Sequence, residues 1–379
     1  MQIINTGGKY TIYNNSSLKS YDQLPAQLYN IAFHPQQGFW LEVADPIIIN
    51  EKTYGVHQEK VDKVINSFNH FTRNLGVILS GDKGIGKSLF AKMLSINCID
   101  NGIPVIIANE YIPGIADFLA SIQQEVAVLF DEFDKTFNCG KRDEMSDPQT
   151  EMLTLFDGLF SGKKLFIVTC NELKNLNSYL VNRPGRFHYH FRFEYPDAAM
   201  IREYLSDKLT PETYQSESEK VVSFASRVPL NYDCLRAIAF ELSLGGEFEE
   251  IIKDLNIVNI AKEVYRVTAH FTNGATFHRN ICLDLFGIGE ECFWFENKEG
   301  NSVFRVNFDT AETVWDSISM QTICPGDRVT LVWAGIYEDD DDDESDKVYN
   351  RTLKEMRDTY KLSHLSFTRK VSSSIHYTV

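Results

Sequence analysis

The chain has 379 residues, of which 43% are hydrophobic and 24% are charged. This composition is typical of a globular protein with two or three domains, and it excludes a collagen-like or wholly disordered chain. The 53 Asp and Glu residues outnumber the 37 Lys and Arg residues, which gives a formal net charge of -16, so the surface as a whole is expected to repel nucleic acid and anionic membranes.

The cysteines and the apolar segments exclude further classes of protein. The 7 cysteines are scattered and form no C-x-x-C pair, which argues against a disulfide framework or a structural zinc site and favours a reducing, cytoplasmic compartment. No apolar run approaches the roughly 20 residues that a membrane span needs. The segment from Met1 to Tyr13 lacks the basic start and apolar core of a signal peptide. We therefore expect a protein that does not associate with membranes.

The first predicted unit, residues 1–55, is a small β-rich module. Short segments rich in aromatic and branched residues alternate there with Gly, Pro, Asn and Ser, as in short strands joined by turns. The candidate strands are Tyr10 to Tyr13, Leu28 to Phe33 and Phe39 to Val43. None of them suggests a chemical role.

Residues 56–196 change to short apolar segments that alternate with helical stretches. This pattern predicts a parallel sheet with crossover helices. The candidate strands are Leu75 to Leu79, Val105 to Ala108, Val126 to Phe130, Leu165 to Thr169 and Tyr189 to Phe193. The predicted fold class is therefore α/β, with a five-stranded parallel sheet between layers of helices.

The strongest motif lies between the first of these strands and the amphipathic helix that follows it. Its residues match G-x-x-x-x-G-K-[ST]: Gly81, Asp82, Lys83, Gly84, Ile85, Gly86, Lys87 and Ser88. Glycines let consecutive backbone N–H groups surround phosphate oxygens, and a helix start adds a positive dipole. Lys87 would reach the β- and γ-phosphates and the Ser88 hydroxyl would bind Mg²⁺. We predict an ATP and Mg²⁺ site from Asp82 to Leu89; the alternative is a glycine-rich turn without a ligand.

Polar residues follow two further strands of the predicted sheet. Asp131 and Glu132 come directly after the strand Val126 to Phe130. Asp131 can reach Mg²⁺ through water, and Glu132 can orient and deprotonate the water that attacks the γ-phosphate. Asn171 follows the next strand and can hydrogen-bond the γ-phosphate and that water. The alternative interpretation is a solvated strand end and a turn asparagine.

Arg183 and Arg186 flank a Pro-Gly turn twelve residues beyond Asn171. An arginine can stabilise the charge that spreads over a transferred phosphoryl group, and a neighbouring subunit can supply it. We predict that both arginines are catalytic. In the alternative interpretation they form ordinary surface ion pairs.

The rest of the chain divides into a helical and a β-rich part. Residues 197–256 place apolar residues at three- and four-residue steps, which predicts a small helical domain. From residue 257 to residue 379 the period returns to two, which predicts a β-sandwich or small barrel. The acidic stretch at 338–346 is expected to be a solvated loop, because its like charges repel one another.

Together the motifs resemble those of the AAA family of AAA+ ATPases. The matching features are the Walker A segment 81–88, the Walker B segment 126–132, the sensor-1 residue Asn171 and the Arg-Pro-Gly-Arg-Phe segment 183–187. The core is similar to Bcs-type AAA proteins, and the chain also looks like AAA ATPases of phages or bacteria. The resemblance covers about residues 55–250. It implies ATP hydrolysis at the subunit interfaces of a ring, commonly a hexamer, with residues 197–256 as its lid.

The resemblance also implies roles for residues outside the main motifs. Arg236 resembles a sensor-2 arginine that contacts the γ-phosphate of its own subunit; the alternative is an ion pair on a helix surface. Tyr54 and Gly55 stand where relatives line the adenine pocket. Tyr111 and Ile112 are the local candidates for a substrate-threading pore loop, although the following proline favours a simple strand-to-helix turn.

The predicted function is that of a Mg²⁺-dependent ATPase that forms a homo-oligomeric ring and remodels, assembles or translocates a protein partner. One alternative is an ATPase of DNA metabolism, such as a loader, but the net charge does not favour a nucleic-acid partner. Another alternative is a nucleotide-gated scaffold without productive turnover. The full set of catalytic residues argues against a scaffold, because a scaffold needs no catalytic base.

Overall fold

The computed structural model describes residues 2–6, 8–13, 19–50, 52–54, 57–137, 148–158, 162–181, 183–257, 263–285, 289–297, 299–334 and 344–370. The chain divides into two compact units, Met1–Phe193 and Glu194–Val379. Within the described residues, no helix has the length and apolar character needed to cross a membrane. Gly55 and residues 338–343 of the acidic stretch lie outside the described residues.

The first unit begins with a two-stranded hairpin, β1 (Gln2–Thr6) and β2 (Lys9–Tyr13), and continues into a seven-stranded sheet. The strands of this sheet are β3 (Leu28–His34), β4 (Gly38–Val43), β5 (Leu75–Ser80), β6 (Val105–Ile107), β7 (Val126–Phe130), β8 (Lys164–Cys170) and β9 (Tyr189–Arg192). They lie in the order β4-β3-β6-β7-β8-β5-β9, and every neighbouring pair is parallel except β3 with β4.

The five predicted core strands are present, but the prediction of a five-stranded sheet is wrong. The additional strands β3 and β4 come from the segment that we assigned to a separate N-terminal module. Strand β3 pairs in parallel with β6, and its Leu28 and Tyr29 are only 5% and 4% exposed. Periodicity identifies such a segment as a strand, but it does not show which sheet the strand joins.

The helices of the first unit are α1 (His57–His70), α2 (Lys87–Asp100), α3 (Ile115–Ser121), α4 (Phe133–Thr136) and α5 (Pro148–Phe156). Strands β5, β7 and β8 are buried along their whole length, which explains why they appear in the sequence as continuous apolar runs. Aromatic rings join β7 and β8 to the helices: Phe130, Phe133, Phe137, Phe156 and Phe166. This packing fixes the ends of β7 and β8, where the predicted catalytic residues follow.

The second unit begins with four helices, where the sequence predicts helices. They are α6 (Ala198–Lys208), α7 (Pro211–Ala225), α8 (Tyr232–Ser243) and α9 (Phe248–Asp254). Asp197, Thr210 and Asn231 precede the first three, and each accepts a hydrogen bond from the backbone N–H three residues later. These are residue types preferred at the N-terminal caps of helices.

The remainder of the second unit is β-rich. Its elements are β10 (Glu263–Phe271), β11 (Thr276–Leu283), β12 (Glu290–Glu296), β13 (Ser302–Asp309), β14 (Val314–Asp316), β15 (Gln321–Pro325), β16 (Thr330–Trp333), α10 (Glu344–Thr359) and β17 (Leu362–Arg369). One sheet has the order β11-β10-β17-β15-β14 and the other the order β12-β13-β16. Residues of both sheets, such as Val267 and Phe304, share one hydrophobic core, as in a β-sandwich. The domain limits that we drew from the sequence stay predictions.

Candidate nucleotide-binding site

The loop between β5 and α2 has a backbone that only glycine accommodates at its first position. Gly81 has a φ of 140°, and a Cβ atom there would lie 2.5 Å from the carbonyl oxygen of Phe193. Gly86 ends the loop with a φ of 100° and directly precedes α2. The first N–H groups of a helix have no partners within that helix, so α2 offers its N–H groups and positive dipole end at the edge of the loop.

Lys87, the first residue of α2, places its ammonium group against the loop. Its Nζ donates to the carbonyl oxygens of Gly81 and Asp82 at 2.7 and 2.6 Å and to Asn171 Oδ1 at 3.1 Å. Burial lowers the pKa of Lys87, although neighbouring acidic groups oppose this shift. Lys87 and Asn171, which are 84 positions apart in the sequence, therefore meet in the folded chain.

Ser88 and Asp131, the predicted metal ligands, also lie together. Ser88 Oγ is 3.5 Å from Asp131 Oδ1. A hydroxyl and a carboxylate are oxygen ligands of the kind that Mg²⁺ prefers, and Mg²⁺ usually takes one or two carboxylates together with substrate phosphates and water. The two side chains therefore fit a Mg²⁺ ion that accompanies a triphosphate.

Glu132 follows Asp131 in a left-handed backbone conformation, with a φ of 48°. This conformation is uncommon for a residue other than glycine. Its exposed side chain pairs with Lys135 Nζ at 2.5 Å. That hydrogen bond lowers the pKa of Glu132, and the charges of Lys135 and Lys83 act in the same direction. The carboxylate is therefore ionised at neutral pH, which is the form that accepts a proton from water.

Two residues that the sequence analysis missed hold this edge of the sheet together. Thr169 is 1% exposed; its Oγ1 donates to Asp131 Oδ1 at 2.6 Å and accepts from the Glu132 N–H at 2.8 Å. Asp134 is 3% exposed, and its Oδ2 accepts hydrogen bonds from the backbone N–H groups of Asn171 and the next residue at 3.0 and 3.3 Å. The signal for Asp134 is a third acidic residue two positions after the Walker B pair, whereas Thr169 has the pattern of an ordinary strand residue.

The two arginines of the Pro-Gly turn have different surroundings. Arg183 is exposed, and its guanidinium carbon lies 5.2 Å from the centre of the Tyr179 ring. The side chain of Arg186 is 11% exposed and forms a bidentate pair with Asp157. Its Nη1 also donates to the carbonyl oxygen of Tyr179 at 2.7 Å. Nothing in the amino-acid sequence distinguishes these two arginines.

The residues assigned to the adenine pocket are only partly described. Tyr54 is 7% exposed, with Lys52 Nζ 5.2 Å from its ring centre. The nearby His57 ring stacks on Phe193 with centroids 5.4 Å apart, and burial lowers the pKa of His57. A role of Tyr54 and Gly55 in binding adenine stays a prediction.

Two further assignments from the resemblance also stay predictions. Tyr111 donates to Glu151 Oε2 at 2.5 Å and packs edge-on against Phe137, with ring centroids 5.8 Å apart. These contacts are those of a side chain packed within its own unit, as in a strand-to-helix turn. Arg236 lies on α8 of the second unit, where its Nη1 is 3.3 Å from Asp233 Oδ1.

Comparison with known proteins agrees with the chemistry of the site. Residues 77–195 match the family model for the ATPase family associated with various cellular activities (AAA). The match includes the phosphate loop, both Walker B carboxylates, Asn171 and the two arginines, and it supports an AAA-type ATPase domain with ATP as its nucleotide. It covers less than half of the chain, and the flanking segments lie outside it. Among curated proteins, none matches the chain.

Proposed function

We propose that this protein is a Mg²⁺-dependent ATPase whose active site is completed by a second copy of the chain. The observation that supports this proposal is the convergence of four side chains after three parallel strands: Lys87 contacts Asn171, and Ser88 lies beside Asp131. In α/β sheets, ligands bind in the crevice at the carboxyl ends of the strands. The groups suited to phosphate, metal and attacking water therefore meet where such a fold binds nucleotides.

Each residue then has a defined task. The backbone N–H groups from Asp82 to Leu89 and the Lys87 ammonium bind the phosphates, and Lys87 exchanges carbonyl partners for phosphate oxygens. Ser88 and Asp131 would hold Mg²⁺, and a bound Mg²⁺ would neutralise part of the negative charge of the phosphates. Glu132 takes a proton from the attacking water, which Asn171 orients.

The second copy supplies further positive charge. Among the described residues, Arg183 forms no salt bridge, and a cation–π contact with Tyr179 leaves its charge unneutralised. We assign Arg183 to the γ-phosphate of an adjoining subunit, because charge spreads over that group in the transition state. Repetition of this contact closes a ring, for which we propose six subunits.

A protein is the proposed partner of this ring, which would use hydrolysis to remodel, assemble or translocate it in the cytoplasm. The net charge of -16 is unfavourable for a surface that tracks nucleic acid. If duplex or single-stranded DNA bound at low salt and stimulated turnover, the DNA-metabolism alternative would replace this proposal.

The test is phosphate release by the full chain in the presence of ATP and Mg²⁺. We expect wild-type turnover that stops when EDTA removes the metal. Glu132→Gln should lower kcat by at least about 100-fold, within the range for loss of a general base, while the Kd for ATP stays within about threefold. Lys87→Ala should lose ATP binding. Wild-type turnover by Glu132→Gln would exclude Glu132 as the base, and failure of the wild type to bind ATP would refute the proposed function.

A further inference from the structure

The turn from Arg183 to Arg186 is fixed to the first unit through its backbone. The N–H groups of Arg186 and Phe187 both donate to the carbonyl oxygen of Arg183, at 2.9 and 3.0 Å. Gly76 in β5 leaves room for this turn, because a Cβ atom there would lie 2.5 Å from Arg186 O and from the Phe187 ring. Phe187 is 6% exposed and packs on Phe156 with ring centroids 5.0 Å apart. The turn therefore cannot move without disturbing the core.

The Arg186 side chain is committed to its own subunit. Nε and Nη2 donate to the two carboxylate oxygens of Asp157, the residue that follows α5, and Nη1 donates to Tyr179 O. A bidentate pair between arginine and carboxylate is both strong and directional. For Arg186 to reach a phosphate in another subunit, it would have to break this pair and leave Asp157 without its cation.

Tyr179 connects Arg186 to Arg183. Its carbonyl oxygen accepts the hydrogen bond from Arg186. The residue is 54% exposed, and its ring faces the Arg183 guanidinium. A cation–π contact can orient a guanidinium without neutralising its charge. Arg183 is thus held in one direction while it stays available to another molecule.

We infer that Asp157, Arg186 and Tyr179 form a positioning cluster that holds the Arg183 side chain in place, and that Arg183 is the one arginine of the turn that contacts the γ-phosphate of the neighbouring subunit. Arg186 is accordingly a positioning residue and not a second catalytic arginine. This inference rests on the proposed function, because Arg183 needs a phosphate to reach.

The test compares kcat and KM for ATP in the full chain with Mg²⁺. Asp157→Asn and Arg186→Ala should each lower kcat by more than about threefold and change KM by less than about threefold, because the phosphate loop of each subunit stays intact. The double variant should be no worse than Arg186→Ala, since the two residues act as one unit. As a matched control, Glu219→Gln breaks the bidentate pair of Arg202 with Glu219, at 2.7 and 3.0 Å in the second unit, and kcat should stay within about twofold.

A different result for Asp157→Asn would overturn the inference. If Arg186 itself contacted the phosphate, this variant would release Arg186, and kcat would stay within about threefold of the wild type while Arg186→Ala was inactive. If Asp157→Asn lowers the thermal midpoint of unfolding, the deciding protein is instead the double variant that carries both Asp157→Arg and Arg186→Asp, in which the two residues exchange places. If the kcat of this double variant exceeds that of Arg186→Ala, the positioning cluster is supported, because no arginine then stands at position 186. An equal or lower kcat overturns the inference. A wild type without ATP turnover would refute the proposed function. An active wild type together with an unchanged kcat in Asp157→Asn would refute only the positioning cluster.

Discussion

Replacing Thr169 with valine preserves the volume and branching of the side chain but removes the hydroxyl between the two acidic residues of the site. In the wild type this hydroxyl donates to Asp131 at 2.6 Å and accepts from the Glu132 N–H at 2.8 Å. Because Thr169 is 1% exposed, water has little access to replace it. The Asp131 carboxylate and the Glu132 backbone would each lose the contact that sets its position.

The size of the effect follows from these two hydrogen bonds. A hydrogen bond to a charged group contributes about 1.5–3 kcal/mol, and a buried N–H left without an acceptor costs about 1–3 kcal/mol. Asp131 can recover part of its loss, because it lies near the surface and next to Ser88. We therefore expect Thr169→Val to lower the free energy of unfolding by about 2–4 kcal/mol. We also expect kcat for ATP to fall by about 10- to 100-fold, which corresponds to about 1.4–2.8 kcal/mol in the barrier.

Urea unfolding and steady-state phosphate release measure the two effects. Thr169→Ser is the matched control, since it keeps the hydroxyl and loses only a methyl group; its kcat should stay within about threefold. A Thr169→Val variant as stable and as active as the wild type would refute the role that we give to this hydroxyl in placing Asp131 and Glu132.

Other substitutions test separate parts of the first unit. Asp134→Asn weakens the hydrogen bond to the Asn171 backbone and should cost about 1–2 kcal/mol of stability in urea unfolding; unchanged stability would contradict the contact. Gly76→Ala places a Cβ atom 2.5 Å from Arg186 O and should cost about 1–3 kcal/mol, whereas an unaltered thermal midpoint would mean that the turn moves freely. Burial lowers the pKa of His57 below its ordinary value of 6.5, so the unfolded chain binds this proton more readily than the folded one. The contribution of neutral His57 to the free energy of unfolding should be complete above about pH 6.5 and should be lost as the pH falls towards the folded-state pKa. His57→Phe should reduce the slope of the free energy of unfolding against pH in this range. An identical slope in both proteins would exclude His57 as the source of the pH dependence.

The parts of the fold that could be predicted from sequence are those set by local pattern. Strands β5, β7 and β8 are buried on both faces and therefore appear as continuous apolar runs. The phosphate loop could be placed because its glycines and Lys87 occur at fixed spacing between a strand and a helix. By contrast, β3 and β4 have the half-exposed pattern of an isolated hairpin, and only the backbone pairing of β3 with β6 assigns them to the core sheet.

The parts of the site that could not be predicted depend on contacts between residues distant in sequence. Thr169 touches Asp131 across 38 positions, and Asp134 binds the Asn171 backbone across 37. Arg186 differs from Arg183 because Asp157 lies 29 positions away at the end of α5. No motif contains such pairs, since they arise from the order of strands and the packing of helices on them.

Mixing two inactive variants tests most directly whether a neighbouring copy completes the ATP site. Chains with Arg183→Ala keep their phosphate loop, and chains with Lys87→Ala keep Arg183, so each lacks what the other can supply. We predict that neither variant alone releases phosphate from ATP and that their mixture does, with a maximum near equal amounts. Phosphate release that stays absent at every mixing ratio, while wild-type chains are active in the same assay, would contradict a site shared between subunits.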